Sequence, residues 1–220
     1  MLTYSKVKSN PKILTYIHQT ELALTAIGYT KHGLGHATLV ADRARTIARM
    51  AGLTKREQEL SAIAGFCHDM GNFLGRKYHH YWGALLFNQV FPDEDPEETA
   101  VVMGAIANHD RRSEMKIYHS VSATVVLADK SDVRRSRVRN KSPENLRRDI
   151  HARVNYGTTS SKLQISPKNK KITLSLKIDT KFVPIIEYFE IFTERMVYCR
   201  QAAHFLGYKF ELVINHVKLL

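Results

Sequence analysis

Apolar residues recur at helical spacing through the first two thirds of the chain and at alternate positions beyond that. Residues Pro11 to Ile27 read as a helix closed by Gly28. A second helix runs from about Gly35 to Ala51, with Leu39, Val40, Ala44, Ile47 and Ala48 on its inner face and Gly52 at its end. Thr54, with Glu57 three residues on, forms a capping box for the next helix. That helix carries the apolar run Leu60 to Phe66 and delivers His68 and Asp69 near its end. The acidic segment Asp93 to Glu98 opens another helix, where carboxylates are favourable, and this one ends at His109. A further helix spans Tyr118 to Val133. After Gly157 the period changes. Leu163 and Ile165, then Ile172, Leu174, Leu176 and Ile178, alternate with polar residues around Pro167 to Lys170, the pattern of a hairpin. Pro184 opens a long amphipathic helix to Leu206, and Phe210, Leu212 and Ile214 make a last short strand. The expected fold is mainly α: a helical bundle over residues 1–157, then a small antiparallel hairpin–helix–strand unit over 158–220. The second part holds no ligand cluster and reads as a lid, a dimer surface or a scaffold wall.

The doublet His68-Asp69 stands out against this pattern, because it directly follows a core-like apolar run. A buried lone carboxylate costs several kcal/mol, and a metal is one of the few partners that offsets this. Four other positions join the doublet into one ordered series of six candidate ligands: His36, His68, Asp69, His79, His109 and Asp129. Imidazole and carboxylate donors suit Mn, Fe, Zn or Ni, with Mg more tolerant of the oxygens. Neighbouring helix residues point about 100° apart, so both members of the doublet reach one site only where the helix end opens onto a cavity. Gly71 supplies that opening.

The series resembles the HD superfamily of metal-dependent phosphohydrolases. His36, four residues before the pair Val40-Ala41, is similar to the first helix of that pattern. Cys67-His68-Asp69-Met70-Gly71 is similar to the doublet, and Val126-Leu127-Ala128-Asp129-Lys130 to the last Asp. His79-His80-Tyr81-Trp82-Gly83-Ala84 and Ala105-Ile106-Ala107-Asn108-His109 resemble the two inserted His segments of members with two metals. The match covers roughly residues 30 to 140. It implies an HD-like helical bundle in which Asp69 bridges two divalent ions. His36, His68 and Asp129 would hold one ion, and His79 and His109 the other. His68 and Asp69 become the catalytic pair, and a metal-bound hydroxide would cleave a phosphomonoester or phosphodiester, with a nucleotide-like substrate favoured. At Asn72 the chain departs from the pattern, since many relatives carry a Lys there that can contact phosphate. The same ligand set also resembles the diiron oxygenases of the superfamily. His80 competes with His79, and Asp110 is a candidate outer partner of His109. His32, one turn before His36, either faces the same cavity or, more simply, is a surface histidine. His18, His119, His151, His204 and His216 belong to no constellation.

Composition agrees with a globular chain: 220 residues, 44% hydrophobic and 25% charged. Cys67 and Cys199 make no disulfide framework and fit a reducing, cytoplasmic setting. The N-terminus opens no signal peptide, and no apolar run of about 18 residues exists to span a membrane. Charge changes the picture more. Residues 1–129 hold 14 Lys/Arg against 13 Asp/Glu, whereas residues 130–177 hold 14 against 3, so +11 of the net +12 begins just after Asp129. Positive charge beside a metal site favours an anionic small-molecule phosphoester as partner. Lys130 and Arg134 are the candidates for holding its phosphate. The alternative is a nucleic-acid-binding protein using residues 130–177, although that stretch lacks interleaved aromatics for base stacking. A homodimer remains open.

Overall fold

The computed structural model of the chain describes residues 1–110 and 116–219. Seven helices come first: α1 (Tyr4–Lys8), α2 (Pro11–Ala26), α3 (Leu34–Met50), α4 (Lys55–Cys67), α5 (His79–Val90), α6 (Pro96–Asn108) and α7 (Ser120–Lys130). Then come α8 (Pro143–Arg148), α9 (Ile150–Gly157), β1 (Thr158–Ser166), β2 (Lys171–Ile178), α10 (Ile185–Phe205), β3 (Lys209–Ile214) and β4 (Val217–Lys218). The fold is mainly helical with a small C-terminal sheet.

Local chemistry sets the main boundaries. Asn10 accepts from the amides of Lys12 and Ile13 and places Pro11 in the first turn of α2. The capping box of α4 is complete: Thr54 accepts from the Glu57 amide, and Glu57 returns the bond to the Thr54 backbone. Asp95 caps α6, with Glu97 and Glu98 in its first turn. The helix expected over Tyr118 to Val133 is shorter at both ends. His119 caps it by accepting from the Val121 amide, and Ser131 Oγ donates to the Ala128 carbonyl where it stops. α5 shows no clear stripe in the sequence because its outer face is apolar as well, with Tyr81, Trp82 and Leu85 exposed.

α7 is the centre of the bundle. Every residue from Val121 to Ala128 is buried, and α3, α4, α6 and α10 pack around it. Each large apolar side chain buried there contributes roughly 1.5–3 kcal/mol. α3 crosses α4 closely at Gly65, where an added Cβ would lie 3.1 Å from both the Val40 carbonyl oxygen and the Ala41 Cα. The buried core is continuous from Leu2 in the bundle to Ile214 in the sheet.

The sheet order is β1-β2-β3-β4. β1 and β2 form the expected antiparallel hairpin, but β3 runs parallel to β2, so the C-terminal sheet is mixed rather than antiparallel. The cause is α10, which carries the chain back before β3 begins and so acts as a crossover. Ile172 pairs with Phe210, Leu174 with Leu212, and Leu176 with Ile214, which buries one face. Among the described residues, no helix is long and apolar enough to cross a membrane.

Candidate metal centre

Four segments bring polar side chains to one buried point beside α7. His36 comes from the first turn of α3, His68 and Asp69 from the turn after α4, His79 from the start of α5, and His109 from the end of α6. Asp129, half-buried, faces them from α7. The doublet lies just past Cys67, the last residue of α4, with His68 as its C-cap still in helical backbone conformation. The turn is held from two sides. Thr20 Oγ1 of α2 donates to the Met70 carbonyl at 3.0 Å. Gly71 lies so close to α5 that a Cβ there would be 2.2 Å from the His79 carbonyl oxygen and 2.4 Å from the Gly83 nitrogen.

The donor atoms form two groups that share Asp69. In the first, His36 Nε2 is 3.3 Å from His68 Nε2 and 3.3 Å from Asp129 Oδ1. Asp69 Oδ2 lies 3.6 Å from His36 Nε2 and 3.1 Å from His68 Nε2. In the second, His79 Nε2 and His109 Nε2 are 3.1 Å apart, and Asp69 Oδ1 is 3.3 Å and 3.6 Å from them. Ligands about 2.1 Å from a tetrahedral ion are spaced roughly 3.4 Å apart, so these separations suit a metal without rearrangement. His79, His80 and Asp110 form a further group of possible ligands, with Asp110 Oδ2 at 3.7 Å from His79 Nε2.

The outer nitrogens strengthen the fit. Nδ1 of His68 donates to the Gly65 carbonyl at 2.8 Å, that of His79 to the Arg76 carbonyl at 2.9 Å, and that of His109 to the Ile106 carbonyl at 2.6 Å. Nδ1 of His36 bonds the Asp132 carboxylate at 2.7 Å. Each ring is therefore turned with Nε2 inward, the arrangement that prepares imidazole for a metal. Burial lowers the affinity of His68 for a proton, but Asp69 and Asp129 outweigh it and raise its pKa to about 10. Burial pushes His109 down to about 3. Burial alone would raise Asp69, yet His68 and the other imidazoles hold it well below the usual carboxylate range. A cation entering the site takes over the work of those protons.

Several contributors escaped the sequence reading. Asp132 is one turn beyond Asp129, a spacing that could have flagged it. Asn72 donates to Asp69 Oδ1 at 2.9 Å and to the Asp69 carbonyl at 2.8 Å, so it orients the shared carboxylate. Arg76 donates to Asn72 Oδ1 at 2.7 Å and stands 3.8 Å from Asp69 Oδ1, which sets a cation beside the doublet. Lys130 Nζ lies 2.6 Å from Asp129 Oδ2, and Arg134 Nε 2.6 Å from Asp132 Oδ1, so carboxylates hold both phosphate candidates. His32 is not a surface residue: it is buried, with its ring 5.6 Å from that of His36. Cys67 is buried at the end of α4.

The HD domain family model matches residues 33–150, a span that holds all six converging side chains and ends before the sheet and α10. No curated protein matches the chain. Since that match covers more than half of its length, the chain belongs to the HD domain family, whose members are generally metal-dependent hydrolases.

Proposed function

We propose that the protein is a phosphohydrolase working with two divalent ions, cleaving a phosphomonoester or phosphodiester. The observation that carries this reading is the position of Asp69. One of its oxygens faces His36 and His68, and the other faces His79 and His109. A carboxylate so divided is the bridge that a two-ion site needs. His36, His68 and Asp129 complete one side, and His79 and His109 the other.

Bound there, divalent ions supply a water of lowered pKa and positive charge opposite the phosphoryl oxygens. The chain's own residues do the rest. Asn72 fixes the bridging carboxylate, while Asp132 and the carbonyls of Gly65, Arg76 and Ile106 fix the four imidazoles. Lys130 at the rim of the cluster, and Arg134 beyond it, are the residues we assign to the substrate phosphate. In the hydrolysis one oxygen–phosphorus bond forms from water as the ester bond breaks, and the water's proton leaves with the alcohol. No Ser or Cys nucleophile is required, because charge stabilisation carries most of the barrier reduction.

Activity of metal-loaded protein against a phosphoester panel tests the reading. Asp69→Ala should abolish turnover, since it removes the bridge, while the helical circular-dichroism signal persists. Turnover retained in that variant would place the chemistry elsewhere.

A further inference from the structure

A cavity of about 290 Å³ opens beside the metal cluster. Its walls come from both parts of the chain. Arg76 reaches it from the turn before α5, Arg137 from the segment after α7, and Phe192 and Arg195 from α10. Asp149 and His151, at the start of α9, are also in the wall, as is His32. Three guanidiniums face one carboxylate. Burial holds both histidines below their ordinary pKa, so they add no positive charge near neutrality.

The three arginines are not equivalent. Arg137 is committed: it donates to the Lys31 and Asp132 carbonyls at 3.2 and 3.1 Å. Arg76 is tied to Asn72 and borders Asp69. Arg195 has neither a hydrogen bond nor an ion pair among the described residues. Its guanidinium lies 4.7 Å above the Phe192 ring. Burial acts most strongly against its charge, and Asp129 offsets part of that. Arginine does not give up its proton in a protein, so this half-buried guanidinium stays charged and is available to an anion in the cavity. Packing on Phe192 is the plainer role, but stacking uses one face of the fork and leaves the N–H donors at its edge unused.

We infer that this cavity binds a second phosphate of the substrate, distinct from the one at the metal cluster, and that Arg195 grips it with Arg76 at its inner edge. A phosphate suits the site better than a carboxylate, because planar guanidinium forks match phosphate oxygens in pairs and the wall holds three of them against one carboxylate. The substrate class is then a phosphoester carrying at least two phosphate groups. Arg195 lies outside the segment that matches the HD domain family, so this preference belongs to the chain's own C-terminal part.

The inference rests on the phosphohydrolase reading only for the word substrate, and the test needs no turnover. Methylphosphonate has one phosphoryl group, and methylenebisphosphonate has two on a bridge that is not hydrolysed. Calorimetric titration of both into metal-loaded full-length protein should show a preference for the bisphosphonate. Arg195→Met, which keeps the apolar stem, should cut that preference on the order of tenfold without changing metal content. Arg195→Lys, the milder change, should give an intermediate loss. No preference in the unaltered protein, or an equal preference in the variants, would overturn the inference even if phosphoesters are hydrolysed. Failure to hydrolyse any phosphoester would instead count against the phosphohydrolase reading and leave the titration result standing.

Discussion

His36 and Asp132 are joined by a 2.7 Å hydrogen bond from the imidazole Nδ1 to the carboxylate Oδ2, although they lie 96 positions apart in the chain. The bond turns His36 Nε2 toward His68, Asp69 and Asp129.

Asp132→Asn should therefore lower metal affinity by about 10–100-fold, the usual effect of losing an outer partner of a histidine ligand. Asn preserves the shape, whereas Ala would also strip Arg134 and Arg137 of a partner. Competition with a chromophoric chelator measures the affinity. An unchanged value would remove Asp132 from the site.

Gly71→Ala should destabilise the chain by roughly 3 kcal/mol, the upper end for overpacking, because the new methyl meets the backbone of His79 and Gly83. For a chain of this size that corresponds to a Tm lower by roughly 6–12 °C. Gly83→Ala is the control. Its nearest neighbour is the Ile106 side chain at 3.2 Å, which can yield, so its cost should stay under about 1.5 kcal/mol. Thermal unfolding of both variants decides the matter, and equal losses would contradict this account of the close approach.

What the sequence disclosed and what it hid follow one division. Thr54 and Glu57 act within one turn, and the ligand-type residues keep a fixed order and spacing, so both could be read from a single string. The bond from Asp132 to His36, and the convergence of Arg76, Arg137 and Arg195 on one cavity, depend on how distant helices pack. α8 and α9 are short and polar, and they left no periodic trace beside a run of basic residues. The direction of β3 was hidden for another reason. Alternation marks a strand but not its sense, which the return of the chain through α10 decided.

Lys130 offers a test of how phosphate is held. If its ammonium serves the substrate, Lys130→Ala should raise KM for a small phosphoester about tenfold, with metal content unchanged. Arg134→Ala should do the same more weakly, since Arg134 is the more exposed of the two. A drop in metal content in Lys130→Ala would reassign Lys130 to holding Asp129, whose Oδ2 it already contacts.

The central claim is that Asp69 joins two ion sites, and counting ions per chain tests it most directly. Protein purified without chelator should contain about two equivalents of divalent metal by elemental analysis. The variant carrying both His79→Ala and His109→Ala should retain about one, held by His36, His68, Asp69 and Asp129. One equivalent in the unaltered protein, unchanged by removing His79 and His109, would contradict the account.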